Sequence, residues 1–248
     1  MVKIDLIYPK LDKDYNGLIS GYSIFPPPSG LEIIASYIQE KISGSRIKIW
    51  DYSLFDKPSI NDLSGEVIGI SDWFSNHNNS IKIAQEIKEK NKNCKIVFGG
   101  PNASNLNRRI LNNHSYIDYV VEGDGEEALL GIINLLNGKE SSSNVPNLWY
   151  RNSLGETLFT YHKNVNLNSL PRWNFKHLVK SNLEEYDSRK KDYNEDLDRT
   201  PIPLSSIRGC LKASKLGKCS YCNIPLRGVR TIKPEKFWNQ IRMIVLYS

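Results

Sequence analysis

Three of the chain's four cysteines lie within thirteen residues: Cys210, then eight residues, then Cys219-Ser-Tyr-Cys222. A C-x2-C pair brings two thiolates within reach of one metal centre, and Cys210 can supply a third. The count carries the chemistry. A structural zinc site closes on four nitrogen or sulfur ligands. A [4Fe-4S] cluster ordinarily takes four thiolates, so three leave one iron open to a substrate or cofactor. Zinc held by three thiolates and a distant histidine, or plain reduced surface thiols, are the alternatives these residues leave open. The fourth cysteine, Cys94, stands immediately before an apolar run and reads as a small buried hydrophobe.

A second group of residues could accept a ligand through backbone. Ser71-Asp72, Gly99-Gly100-Pro101 and Gly123-Asp124-Gly125-Glu126 each follow a short apolar run. Glycine there lets the main chain approach a bound molecule and adopt positive φ. Any one of these glycines alone could equally serve a tight turn.

The elements that must position these residues follow from periodicity. Apolar runs at 2–8, 46–51, 66–71, 95–98 and 118–121 have strand length. Between them, Leu31, Ile34, Tyr37 and Ile38, then Ile83, Ala84 and Ile87, then Leu106, Ile110 and Leu111 recur at helical spacing. A fourth helical pattern carries Ala128, Leu129, Ile132, Ile133 and Leu136 after the last strand. Ser29-x-x-Glu32 has the pattern of a capping box, and Gly44 falls where a helix C-terminus wants glycine. Asp72 to Asn79 reads as a long polar loop, within which His77 is a solvated residue and Trp73 faces the expected ligand side.

Such alternation predicts a doubly wound, flavodoxin- or Rossmann-like α/β domain with a five-stranded parallel sheet over residues 1–140. Ligands of these sheets bind beyond the carboxyl ends of the strands, which is where the glycine-rich segments fall. Residues 141–200 read as a linker with a β-hairpin around Asn152-Ser-Leu-Gly155 and an exposed, densely charged stretch from Glu184 to Arg199. Residues 201–248 contain the apolar run Ile202-Pro-Leu, the cysteine loop and a helical pattern from Lys233 to Ile244.

The chain has 248 residues, 40% hydrophobic and 24% charged, with a formal net charge of +6. That is an ordinary globular composition. No apolar run is long enough for a membrane span, and the opening residues go straight into a strand pattern without a leader. Clustered cysteines at metal-like spacing argue for a reducing compartment, with the cytoplasm expected. Between Ser205 and Trp238 eight Lys/Arg face one acid, Glu235. No basic stripe with interleaved aromatics accompanies them, which argues against a nucleic-acid surface; the charge would offset an anionic cluster and its ligand.

Read in order, Pro27-Pro-Ser-Gly-Leu31, Ile68-Gly-Ile-Ser71, Ile96-Val-Phe-Gly-Gly-Pro101 and Asp118-Tyr-Val-Val-Glu-Gly-Asp-Gly-Glu126, followed by the three-cysteine loop, resemble the cobalamin-binding-domain radical S-adenosylmethionine (SAM) enzymes. The resemblance covers roughly 1–140 for the cobalamin domain and 201–248 for the start of the radical SAM barrel. It implies that Ser71, Asp72, Gly99, Gly100, Pro101, Gly123, Asp124, Gly125 and Glu126 hold cobalamin. It also implies that Cys210, Cys219 and Cys222 bind a [4Fe-4S] cluster, with Tyr221 as the aromatic residue preceding the last cysteine and SAM on the open iron. Reductive cleavage of SAM would give a radical that abstracts a substrate hydrogen, with methyl transfer the expected outcome.

Two departures stand out. The family's first cysteine gap is three residues, and here it is eight. The chain also lacks D-x-H-x-x-G, so a base-off cobalamin without a histidine from that motif is expected. The chain stops twenty-six residues after Cys222, so the barrel is expected to be incomplete, with a second chain as a possible partner to complete it and the substrate unknown. Two rival functions follow: a non-catalytic cobalamin-binding module, or a zinc-stabilised nucleic-acid binder using the basic segment.

Overall fold

Residues 1–12, 27–54, 59–189, 203–217, 219, 222 and 228–247 are described by the computed structural model. The apolar runs become parallel strands β1 (Lys3–Tyr8), β2 (Arg46–Asp51), β3 (Val67–Ser71), β4 (Lys95–Gly99) and β5 (Tyr119–Val121). Between and after them lie helices α1 (Ser29–Lys41), α2 (His77–Lys90), α3 (Pro101–Asn113) and α4 (Glu126–Leu136). The strands run in the order β2-β1-β3-β4-β5, all pairs parallel. This is the flavodoxin-like order, and its switch point lies between β1 and β3.

Two apolar layers sandwich the sheet. Ile4, Leu6 and Ile49 point toward Ala35 and Ile38 of α1 and toward Leu129 and Ile132 of α4. On the other face Ile68, Ile70, Ile96 and Phe98 meet Ile83 and Ile87 of α2 and Ile110 and Leu111 of α3. Cys94 is buried in that second layer, as expected.

The expected hairpin forms as β6 (Leu148–Arg151) and β7 (Thr157–Phe159), but it is not a separate linker module. β6 pairs antiparallel with β5, so the sheet has seven strands. Unpaired backbone along β5 would leave an open edge, and the hairpin covers it. Trp149 Nε1 donates to Glu122 Oε2 at 2.8 Å, and the Arg151 guanidinium donates to carbonyls of Leu111, Ser115 and Ile117.

The following segment departs further from a loose linker. Leu167, Leu170, Trp173, Phe175 and Leu178 are buried in the α1/α4 layer. Leu178 bridges Ile49 in parallel, laying this strap along β2. The charged stretch expected to be exposed begins instead as helix α5 (Lys180–Arg189). It is amphipathic at two positions: Asn182 and Tyr186 are buried, and both bond to Asp51 at the end of β2. Residues 190–199 lie outside the described residues.

The capping-box reading of Ser29 and Glu32 fails for a tertiary reason. Ser29 is the first residue of α1, preceded by Pro28, and Glu32 does not reach back to the helix start. Its carboxylate is buried and meets His177 Nδ1 of the strap at 2.7 Å. The C-terminal segment holds β8 (Ile207–Arg208), α6 (Leu211–Lys215), β9 (Arg230–Thr231) and α7 (Pro234–Tyr247). β8 pairs antiparallel with β9. Of the apolar run Ile202-Pro-Leu, which the resemblance implies is the first barrel strand, Pro203 and Leu204 are not in a strand, and residues 201–202 lie outside the described residues.

Candidate functional site

Three loops at the carboxyl ends of β3, β4 and β5 are tied into one unit by buried polar contacts. Asp72 N–H donates to Gly99 O at 2.7 Å and Asn102 N–H donates to Asp72 O at 3.1 Å. The fully buried Asp72 carboxylate accepts from Asn102 Nδ2 at 3.0 Å and meets His77 Nδ1 at 2.9 Å. Gly123 N–H donates to Ser104 Oγ at 3.0 Å, joining the third loop to α3.

Gly100 has φ +109, in the region disfavoured for side chains. A Cβ there would stand 2.7 Å from Asp72 O. Gly99, beside it, is the converse: a Cβ would meet nothing within 4 Å. One glycine lets two loops close together, and the next leaves space for something else.

That space is a cavity of about 580 Å³ over the strand ends. Its floor comes from Leu6 and Tyr8 of β1, Gly69 to Ser71, Val97 and Val121. Pro27 to Leu31 and Ile34 form one rim, and Trp73, 45% exposed, forms part of another. Such a largely apolar hollow at a topological switch point is where this fold takes a ligand.

Of the residues expected to hold cofactor, Ser71, Gly99, Gly100, Pro101, Gly123, Asp124, Gly125 and Glu126 all line the cavity. Asp72 does not. It is turned inward as the brace just described, because a fully buried carboxylate needs donors and the loops supply them. Tyr221 lies outside the described residues. His77, read as a solvated loop residue, opens α2 instead, and its contact with Asp72 raises its pKa against the opposing effect of burial.

Two residues unmarked in the sequence join the site. Arg208, which also lines the cavity, donates to Glu126 Oε1 at 2.5 Å and to Asp124 Oδ1 at 3.1 Å. Arg230 donates to both oxygens of Asp124, and Val165 N–H adds a contact of 2.9 Å. Burial pushes the Asp124 carboxyl up, but the Arg230 and Val165 hydrogen bonds and both guanidinium charges outweigh it and hold it below the ordinary value. Glu126, 1% exposed, and Asp124 thus serve two purposes: they wall the cavity and anchor the C-terminal segment. Only the surplus of basic residues after Ser205 hinted at such partners, and part of that charge is spent here rather than on an anionic ligand.

Cys210, Cys219 and Cys222 stand in the C-terminal segment. All three are half-buried and free of disulfides. Cys222 N–H donates to Cys219 O at 3.0 Å, and Lys212 Nζ stands 3.0 Å from Cys219 Sγ. Among the described residues, no group of three or more His, Cys, Asp or Glu is placed to hold a metal ion. The donor chemistry of three thiols suits iron, but the side chains are not gathered.

The residues around the cavity do fit cobalamin. The space beside Gly99 is a cradle that any side chain would fill, and the walls are mostly apolar. Residues 24–133 match the family model of the B12 binding domain. Cobalamin-dependent S-adenosylmethionine radical enzyme OxsB, with aqua-cobalamin and S-adenosylmethionine bound, shares the fold at TM-score 0.77 and 18% identity, over 100% of this chain and 32% of that one. Radical S-adenosylmethionine methyltransferase TsrM from Kitasatospora setae, with cobalamin and a [4Fe-4S] cluster bound, gives TM-score 0.71 at 15% identity, over 98% of this chain and 47% of that one. The chain therefore spans 32% and 47% of the length of these two enzymes. No curated protein matches its sequence. The domain match bears out the cobalamin-binding part of the resemblance, and the fold is one shared with these enzymes.

Proposed function

We propose, from a chain whose residues 24–133 match the B12 binding domain, that the cavity over the strand ends holds base-off cobalamin. The observation that carries this reading is the open cradle beside Gly99, in the wall of a largely apolar cavity over the strand ends. Gly99, Gly100, Pro101, Gly123 and Gly125 would present backbone to the cofactor, Ser71 its hydroxyl, and Trp73 an aromatic face. Asp72, His77 and Asn102 act behind them, holding the loops in register. When bound, cobalamin supplies a cobalt centre able to carry a methyl group.

The finer reading is a radical SAM enzyme, or the N-terminal part of one, in which Cys210, Cys219 and Cys222 hold a [4Fe-4S] cluster with SAM on the open iron. The Cys219-x2-Cys222 pair with Tyr221 before its last cysteine, and the position of their segment against the cavity, support it, while the eight-residue first gap departs from the family's three. A non-catalytic cobalamin module is the second reading, supported by the family match, which covers residues 24–133 alone.

Titration with hydroxocobalamin tests the first reading. Wild type should bind stoichiometrically and shift the visible spectrum to a base-off form, while a bulky Gly99→Leu variant should fold and fail to bind. A base-on spectrum, or equal binding by Gly99→Leu, would overturn it. Anaerobic reconstitution with iron and sulfide should give the broad absorbance of a [4Fe-4S] cluster, lost in the triple Cys→Ala variant. Stoichiometric zinc in place of iron would sink the radical reading and leave the module.

A further inference from the structure

The wall of the cavity is not built by the α/β domain alone. Pro203 and Arg208, from the segment that leads into Cys210, complete it. Arg208 also lines an adjoining cavity of about 260 Å³, between α1, the strap and α7. Its guanidinium lies between the two acids of the β5 loop: one nitrogen contacts both Asp124 at 3.1 Å and Glu126 at 3.2 Å, and the other reaches Glu126 at 2.5 Å. Arg230, on the paired strand β9, closes on Asp124 from the other side and also bonds Val165 O at 3.1 Å. Two acids from one unit and two arginines from the other therefore form a four-residue ion-pair latch. Its charges balance, so it offers no net site for an anionic ligand.

The latch has two features of a device that a ligand can bias. It is mostly buried, with the Arg208 side chain 27% exposed and those of Asp124 and Glu126 10% and 2%. Removing water from such a cluster strengthens each ion pair. It is also imperfect, because Arg230 Nε is buried without a hydrogen-bond partner among the described residues. A buried donor without a partner lowers the stability of the latched state. A ligand in the cavity touches Pro203 and Arg208 only when the segment is seated. It must then bind the seated state better, and by linkage its binding must favour seating.

We propose that Arg208 is a positioning residue that couples occupancy of the cobalamin cavity to the seating of the Cys210 segment. This inference rests on the cobalamin reading above. Filling the cavity closes the Asp124/Glu126 latch on Arg208 and Arg230, and so fixes the chain two residues before the first cysteine. Conversely, a seated segment supplies the last wall of the cavity. The cysteine loop is thus presented once the first cofactor is in place.

Amide hydrogen exchange read by mass spectrometry on the full chain, with and without saturating hydroxocobalamin, tests the coupling. In wild type, hydroxocobalamin should slow exchange in peptides covering 203–217 and 228–232 by at least about fivefold, the lower end of ordinary coupling between sites. Arg208→Gln should bind hydroxocobalamin at least about fivefold more weakly. At saturation it should show no slowing in those peptides, although β3 and β4 are still protected. Arg208→Lys keeps the charge without the fork and should fall between the two. If Arg208→Gln does not fold, Arg230→Gln reads the same latch from its second strand. Binding by wild type with unchanged exchange in 203–217 would overturn the coupling alone, as would equal slowing in the variants. Absence of any binding by wild type would overturn the cobalamin reading and the coupling with it.

Discussion

Gly99 and Gly100 show how two identical neighbours carry different constraints. Alanine at Gly100 would sit at φ +109 and 2.7 Å from Asp72 O, so both strain and contact oppose it. Gly100→Ala should lose about 1–3 kcal/mol, seen as a lower melting temperature whether or not ligand is present. Gly99→Ala has open space around its methyl group, so its melting temperature should stay within about a degree of wild type while hydroxocobalamin affinity falls. The sequence marks both as glycines after a strand; only the backbone angles and the neighbouring loop tell them apart. Trp73 is likewise legible only as an aromatic near the ligand side. Its place on the cavity rim predicts that hydroxocobalamin will quench its fluorescence, and that Trp73→Phe will remove most of the quenching signal attributable to this residue.

At the scale of elements, buried polar pairs hold pieces that hydrophobic patterning alone would leave loose. Asp51 at the end of β2 accepts from the Tyr186 hydroxyl, and Asn182 bonds both main-chain groups of Asp51. Tyr186→Phe leaves the Asp51 carboxylate without that donor and should cost about 1–3 kcal/mol, with α5 exchanging amide hydrogens before the sheet does. The contact of His77 with Asp72 ties α2 to the β3 loop, and it is pH-dependent. The folded pKa of His77 is raised, so its stabilising contribution is fully present below the unfolded value near 6.5 and is lost as pH rises through the folded value. The melting temperatures of wild type and His77→Gln should therefore differ more at pH 6 than at pH 9. Equal differences at both pH values would show that the imidazole charge contributes nothing.

The described residues form a seven-stranded sheet that includes a hairpin, a strap across its β2 side and a C-terminal segment, carrying the β8–β9 pair, latched to the cavity wall. Asp124 sits at that last junction with a lowered folded pKa. Its contribution is present above the unfolded carboxyl value near 3.9 and lost as pH falls through the lower folded value. Acid should therefore release the C-terminal segment, and Asp124→Asn should weaken its attachment already at neutral pH. Limited proteolysis within 203–217 reads both effects. Among the described residues no helix is long and apolar enough to cross a membrane.

Local pattern alone determined the five parallel strands, the four helices that cover them and the ligand face. Periodicity and turn residues act within a few positions, and here they agreed with one another. The glycine-rich loops were legible because close backbone approach demands glycine, and the three cysteines because metal chemistry demands thiols. Only the tertiary structure decided that Glu32 answers His177 rather than its own helix start, that Asp72 braces rather than binds, and that the hairpin closes the sheet edge. It alone brought Arg208 and Arg230 to Asp124 and Glu126, more than eighty residues away. Buried charges take their partners from whatever the fold packs against them, and no spacing along the chain records that choice.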